Sequence, residues 1–524
     1  MITYDRIPRD LNLAGYFLDR NLEEGRGDRV ALSCGSETCT FAELAARTNR
    51  VGHVLRELGV RPEDRVLLAL SDGFDFVASW FAVLKIGAVV AEAYTFLQPK
   101  DYEYYLRYTR AGVAIVDGAT IDAFRSVAPG CPQLRHLLVV GAEPGRGGVE
   151  VSYEAMTAQA PDILAAELTT KDDVALWKFT TGSTGSPKAA VHLAHDPVVS
   201  FHNYALDVLG LTEADSVLPV PKLFFGYARD LTALFNFGVG AAGVIFPERT
   251  TPEILFSLIE QHRPTVMVQV PTMISAMVNH PEARVRDLSS LRLCTSAGEA
   301  LPEELHRRWL DVFGIEVLDG IGSSEAYHVY ISNRPGAVRM GSLGQACPGY
   351  EAIVVGEDGA EVPTGEPGEL RVRGESTALC YWGDHEKSKQ TFAGDWILSG
   401  DLFVRDADGY FWYRGRADDL LKVGGIWVAP VEIENCLVGH PAVAECAVAG
   451  VEESGLTRIR AFVVRVEGGE ATGDELREHV RSRLAGHKVP REVVFVESLP
   501  KTANDKVDRK ALKLIEESAA ASTA

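Results

Sequence analysis

No apolar stretch in this chain is long enough to cross a bilayer. The most apolar run, Leu231 to Phe246 (LTALFNFGVGAAGVIF), is short and broken by glycines, which suits a buried helix and strand. The first residues, MITYDRIPRDLNLAGYFLDR, lack the apolar centre of a secretory signal, so a cytoplasmic protein with no membrane partner is expected. Cys-x-x-Cys pairs are also missing. The eight cysteines are scattered, with Cys34 and Cys39 closest together, which points to buried reduced thiols rather than a disulfide frame or zinc site. Positive charge is in deficit: 52 Lys and Arg stand against 73 Asp and Glu, a net charge of −21. Such a chain repels polyphosphate backbones, so nucleic acid is not expected as a partner, and an anionic small ligand needs a local basic or amide-rich pocket. No internal repeat is visible.

A length of 524 residues exceeds one ordinary core. Helical and β-branched stretches alternate over most of it. TFAELAARTNRVGHVLRELG places Leu44, Val51, Val54 and Leu55 on one helical face, and DRVLLAL reads as a buried strand. FDFVASWFAVLKIGAVV reads as a helix, a glycine stop and a strand; PTVMVQV and LRLCTSAG read as strands ending in polar loops. This alternation implies α/β layers with parallel pairing. After about Pro348 the chain becomes turn-rich with alternating strands, and from about Asp418 it has the length and pattern of a small separate domain.

FTTGSTGSPKAAVH, Phe179 to His192, is dense in Gly, Ser and Thr and follows the strand-like VALWKF, as a phosphate-wrapping loop does. It is not a Walker A motif, because Pro187-Lys188-Ala189 stands where Gly-Lys-Ser/Thr is required. GVGAAG, Gly238 to Gly243, matches a dinucleotide fingerprint, but helix precedes it and strand follows. That order excludes a dehydrogenase and favours close helix–strand packing. HLAHD offers His192, His195 and Asp196 as a metal pair or acyl-transfer motif, with polar residues after a strand as the plainer reading. DGIGSSEAYH places Glu325 after a flexible turn, where a carboxylate can hold Mg²⁺ on nucleotide phosphates. Asp401 and Arg416 have the chemistry for ribose hydroxyls and phosphate.

Taken in order, TTGSTGSPK, SAGEALP, DGIGSSE, WILSGD, YRGRADDLLKVGG and LPKTANDKVDRKAL resemble the adenylate-forming superfamily from about residue 10 to about 515. That superfamily comprises acyl-CoA synthetases, luciferases and adenylation domains. KLFFGYA, EAYHVYISNRPG and KVGGIWVAPVEIE resemble its benzoate–CoA ligase branch. The resemblance implies a large N-terminal domain of layered α/β subdomains plus a β-rich subdomain, residues 1–417. A small mobile α+β C-terminal domain, residues 418–524, would rotate about a hinge at Asp418. It implies an AMP-forming acyl- or aryl-CoA ligase acting on a cyclic or aromatic carboxylic acid, with ATP, Mg²⁺ and coenzyme A. Dimers are common in such families, so a homodimer is expected too.

By the same resemblance, Thr180, Thr181, Gly182, Ser183, Thr184, Gly185 and Lys188 meet the phosphates. Gly298, Glu299 and Ala300 wall the adenine, and Asp319, Gly320, Ile321, Gly322, Ser323 and Ser324 close it. Glu325, with Thr181, holds the metal. Asp401 and Arg416 clamp the ribose and phosphate, and Lys506 bridges the carboxylate and α-phosphate. Tyr227, Ala228, Arg229, Gly322 and His328 wall the acyl pocket, and Gly424, Gly425 and Trp427 the CoA channel.

Three positions depart from the pattern: Ala189 replaces a glycine after the loop lysine, Asp505 a glycine before Lys506, and Arg229-Asp230 an apolar pair in the acyl wall. The first two suggest impaired adenylation, with thiol transfer from a preformed adenylate surviving. The retained Lys506, Glu325, Asp401 and Arg416 favour the full reaction. Arg229 and Asp230 pair with each other or meet a polar or bulky acid. Loading of a carrier protein, and nucleotide sensing without turnover, are the competing functions.

Overall fold

The computed structural model describes residues 1–145, 149–180, 186–416, 419–423, 426–453, 456–466, 468–501, 507–509, 511 and 512. Two large sheets organise the N-terminal part. In the first, parallel strands Arg65–Ala69, Val89–Glu92, Val113–Asp117, His136–Val140 and Glu150–Ser152 continue into Val174–Thr180 (β1). Lys188–Leu193 (β2) returns antiparallel beside β1, and the short strand Cys380–Tyr381 closes that edge. β1 and β2 thus form the hairpin that carries the Gly/Ser/Thr loop, at the carboxyl end of a parallel strand where ligands of open α/β sheets bind.

The second sheet has nine strands. Its parallel body includes Ser216–Pro219, Val266–Gln269, Leu293–Ser296 (β3) and Val317–Gly322 (β4), with Val329–Ser332 antiparallel beyond β4. One continuous apolar core contains residues of both sheets, from Leu68 and Val90 to Val217 and Leu318, so the two are layers of one domain. The apolar run lies here as the helix Gly226–Ala233 (α1), a short helix Phe235–Gly238 and the strand Ala242–Ile245. Of its glycines, Gly243 does pack strand on helix, whereas Gly238 packs the short helix on the helical segment Phe201–Leu206. A Cβ on Gly238 would lie 2.5 Å from the Phe201 ring, and one on Gly243 2.2 Å from the Thr232 carbonyl.

A five-stranded antiparallel sheet follows, including Pro367–Gly374, Trp396–Arg405 (β5) and Phe411–Arg416 (β6). The C-terminal part has a core of its own, built on the strands Val443–Glu453, Leu456–Arg465 and Glu492–Phe495 and the helices Pro430–Val438 and Gly473–Arg481. It touches the large part where Ser275 Oγ donates to the Ala444 carbonyl at 3.2 Å. Among the described residues no helix is long and apolar enough to cross a membrane. The eight cysteines are unpaired, four of them buried and four half-buried.

Candidate active site

The hairpin loop is anchored from below. Thr180 and Lys188 face each other at its base, and Tyr104 Oη donates to the Pro187 carbonyl at 2.7 Å. Thr181, Gly182, Ser183, Thr184 and Gly185 lie outside the described residues. Ala189 does not bear on the loop as its sequence position suggests. It sits in β2 opposite Phe179, fully buried, its methyl packed with Val89, Trp177 and Val191. Its backbone does not have positive φ. Its N–H donates to Tyr108 Oη at 3.3 Å and its carbonyl accepts from Trp382 N–H at 2.9 Å. The methyl therefore serves the sheet core, and the first argument for impaired adenylation falls away. Asp505 lies outside the described residues, as do Asp418, Gly424, Gly425 and Lys506.

From β4 the chain enters the turn that carries Glu325. Gly320 and Gly322 are required by close approach, since a Cβ would lie 2.6 Å from the Ile331 carbonyl and 2.5 Å from the His328 carbonyl. Ser323 caps the short 3₁₀ turn Ser324–Ala326 by accepting from Ala326 N–H at 3.3 Å. Tyr327 then adopts φ 71° and ψ −56°, and His328 N–H closes back on the Ala326 carbonyl at 3.0 Å. This is the classical γ-turn, a strained form that costs about 1–3 kcal/mol and persists only when its surroundings hold it.

Four carbonyls in a row are held from outside the turn. Ser324 O faces His192 Nε2 at 2.6 Å, and Glu325 O accepts from Ala378 N–H at 2.8 Å. Ala326 O accepts from Ser376 Oγ at 2.8 Å, and Tyr327 O from Lys178 Nζ at 2.6 Å. Tyr381 Oη donates to Glu325 Oε1 at 2.5 Å, and Lys188 Nζ stands 5.6 Å above the Tyr381 ring. Tyr381 therefore joins the phosphate hairpin to Glu325. A carboxylate with one oxygen fixed in this way suits Mg²⁺, a hard cation that takes oxygen ligands.

The residues expected at the adenine lie on and beside β3 and β4, with Ser296 opposite Asp319. Asp319 is buried, which pushes its carboxyl well above the usual range; the neighbouring Ser296 hydroxyl and the Leu301 and Gly320 amides offset this in part. Gly298 has φ 93°, which favours glycine, and Glu299 Oε2 accepts from Thr272 Oγ1 at 2.9 Å. On β5 and β6, Asp401 and Arg416, the residues expected at the ribose and phosphate, are direct cross-strand partners with Nε and Oδ1 3.9 Å apart. Tyr330 has its hydroxyl pushed up by burial and then by the charges of Asp401 and Glu325.

The residues expected to wall the acyl pocket lie on α1 and the end of the turn. Tyr227 Oη pairs with Thr295 Oγ1 at 2.6 Å, and His328 Nε2 faces the Tyr227 carbonyl at 3.3 Å. The His328 ring packs among Tyr204, Tyr227 and Phe235, and burial pushes its pKa down to about 3, so the ring is neutral. Next to Ala228, Arg229 is 1 % exposed and turned under the helix. Its Nε and Nη2 donate to Asp230 Oδ1 at 3.0 and 2.7 Å, its Nη1 donates to Glu92, and it stacks 4.7 Å over Trp80. The Arg229–Asp230 pair is thus real, and Lys178 and Glu92 complete it as a buried group of two cations and two anions. Lys178 Nζ lies 2.6 Å from Asp230 Oδ2; burial lowers its pKa to about 8, offset in part by Asp230. Burial alone would raise Asp230, but Arg229 and Lys178 hold it below its ordinary value.

HLAHD forms a closed network. His192 Nδ1 faces Asp196 Oδ2 at 2.6 Å, and His195 Nε2 lies 3.1 Å from Asp196 Oδ1. Among the described residues no group of three His, Cys, Asp or Glu could hold a metal, so the metal-pair reading is set aside. Trp427, in contrast, is 60 % exposed on the hairpin Leu421–Val423 and Ile426–Val428, its ring 5.4 Å from Lys422 Nζ.

Sequence reasoning missed Tyr381, Tyr330, Glu92 and Lys178. Only Lys178 left a signal: a lysine inside the apolar strand VALWKF must find a buried partner.

Comparison with known proteins agrees with this geometry. The model of the AMP-binding enzymes matches residues 18–382, and that of the AMP-binding enzyme C-terminal domain matches residues 432–506. The chain is 41 % identical over 510 residues to a benzoate–CoA ligase of Thauera aromatica, covering 96 % of each chain. An anthranilate–CoA ligase solved in complex with anthranoyl-AMP superposes with a TM-score of 0.95 at 38 % identity, over 99 % of this chain and 100 % of that one. A benzoate–CoA ligase of Burkholderia xenovorans LB400 gives a TM-score of 0.88 at 38 % identity, over 96 % and 100 %. With the two models together covering most of its length and a relative 41 % identical over nearly all of it, this chain belongs to the family of AMP-binding enzymes.

Proposed function

We propose that the chain is an AMP-forming aryl-acid–CoA ligase. In the first step a carboxylate oxygen attacks the α-phosphorus of ATP and pyrophosphate leaves, giving an aryl-adenylate. In the second the CoA sulfur attacks the acyl carbon, its proton passes to solvent, and AMP departs with the bonding electrons. The observation that carries the reading is the turn after β4, which presents Glu325 to the phosphate hairpin and His328 to α1 within four residues. The likeness to benzoate– and anthranilate–CoA ligases over nearly the whole chain supports an aromatic acid.

Lys188 and the hairpin receive the phosphates, Asp401 and Arg416 the ribose, and Tyr227 and His328 the acid. Glu325 would hold Mg²⁺, which supplies charge neutralisation on the triphosphate. The neutral His328 ring and the internally paired Arg229 present the acid with a wall that carries no unbalanced charge. Lys506 as the bridging lysine belongs to the same proposal, as do a boundary at Asp418 and rotation of residues 418–524. So do Gly424, Gly425 and Trp427 as the CoA channel, a homodimer and a cytoplasmic location. The test is a panel of substituted benzoates with ATP, Mg²⁺ and CoA, following pyrophosphate, AMP and thioester separately. Acid-dependent exchange of pyrophosphate into ATP, and AMP release that requires CoA, are expected. Absence of exchange with every aryl acid overturns the reading.

A further inference from the structure

HLAHD takes no part in the chemistry above, and neither does Lys178. Both end on the same segment. His192 is fully buried, and the Ser324 carbonyl can only accept, so Nε2 is the donor of the 2.6 Å bond. Asp196 sets the ring from the other side at 2.6 Å and is itself held by Leu193 N–H at 3.1 Å. Lys178 repeats the device three residues along. Its ammonium donates to the Tyr327 carbonyl and to Asp230, each at 2.6 Å, and lies 3.6 Å from the centre of the Tyr327 ring. Arg229 anchors Asp230 in turn. The His192 and Tyr327 rings meet edge to face at 5.2 Å, so the two devices adjoin.

We propose that His192 and Lys178, each oriented by an aspartate, are positioning residues for Glu325 in the adenylation step, gripping the strained turn at its two ends. Resting on the ligase reading, this goes beyond it by assigning a role to four buried residues, His192, Asp196, Lys178 and Asp230, that the proposed chemistry leaves without one. A γ-turn at Tyr327 is not a conformation the chain keeps unaided. Release of the Ser324 or Tyr327 carbonyl lets the turn relax and moves Glu325 off the phosphate hairpin; the accompanying shift of His328 falls on the affinity for the acyl group, while the thiol route is left in place.

Three variants separate positioning from mere support. His192→Gln keeps an amide near the Nε2 position, His192→Asn reaches only the Nδ1 position, and Lys178→Met keeps length without a donor. Loss of one such bond is expected to raise the Mg²⁺ needed for half-maximal pyrophosphate exchange about tenfold in His192→Asn and Lys178→Met. At saturating synthetic benzoyl-adenylate, transfer to CoA stays within about threefold of the parent, and His192→Gln behaves like the parent. Without turnover, the two damaged variants lose thermal stabilisation by ATP with Mg²⁺ and keep that by AMP. Equal slowing of exchange and transfer, or a His192→Gln as impaired as His192→Asn, overturns the proposal. Should a variant fold poorly by circular dichroism, Asp196→Asn serves as the milder lesion under the same criteria. If the parent shows no aryl-acid-dependent exchange, the ligase reading fails, and the thermal shifts with ATP and Mg²⁺ still decide the positioning role.

Discussion

Tyr381 shows how much one hydroxyl carries. It donates to Glu325 Oε1 at 2.5 Å while its ring packs on Phe392. Tyr381→Phe keeps the packing and removes the donor, so adenylation is expected to weaken about tenfold, with the unfolding free energy changed by less than about 1 kcal/mol. Parallel pyrophosphate-exchange and urea measurements check both. The buried ion group behaves differently. Asp230→Ala leaves Arg229 and Lys178 without their shared carboxylate and is expected to cost about 3–5 kcal/mol of stability, read from the denaturation midpoint. Residues of this kind were the least legible in the sequence. Glu325, Asp401 and Arg416 stand in local patterns, whereas Tyr381, Glu92 and Lys178 come together only through folding. Their partners lie between 12 and 149 residues away along the chain.

Among the elements, β2 overturns a reading made from sequence. Ala189 looked like a lesion in a phosphate loop, yet burial in an extended strand makes its methyl an asset. Ala189→Gly is therefore expected to lose about 1–2 kcal/mol of stability without raising the rate of pyrophosphate exchange. A clear gain in exchange would restore the impaired-loop interpretation. The element patterns themselves were legible. The helix predicted from TFAELAARTNRVGHVLRELG runs Phe41–Glu57, begun by a Thr40–Glu43 capping box, and DRVLLAL contains the strand Arg65–Ala69. The γ-turn at Tyr327 was not, because a tyrosine gives no local sign of positive φ. On the C-terminal hairpin, exposure of Trp427 means that Trp427→Ala is expected to slow thiol transfer and spare both adenylation and stability; equal loss in both half-reactions argues against a CoA contact.

For the whole molecule, acid is the revealing stress. His306 is buried and its pKa is pushed down to about 4; His328 is pushed to about 3. An unfolded histidine binds its proton near pH 6.5, whereas these rings stay neutral until far lower pH. Above about pH 6.5 neither state is protonated at these sites and they add no slope. As the pH falls below that value the proton loads onto the unfolded chain first, so native stability drops. Removing His306 by His306→Gln is expected to flatten the curve between about pH 6.5 and 4, by about 3 kcal/mol at its lower end, in urea titrations at several pH values. An unchanged slope means that His306 is protonated within the fold. At this scale the α/β layering and the small C-terminal part were readable from alternation and length. The strand order of the nine-stranded sheet was not, since it depends on crossovers that leave no mark on composition.

The pinned turn after β4 has one more consequence. Because Glu325 and His328 ride on the same clamped segment, the proposed ligase would gauge acid and nucleotide against a single calliper. Lineages can exchange one aryl acid for another by reshaping α1 around Tyr227 while the jaw that meets the triphosphate keeps its setting. New substrates can then be acquired without relearning how to activate them.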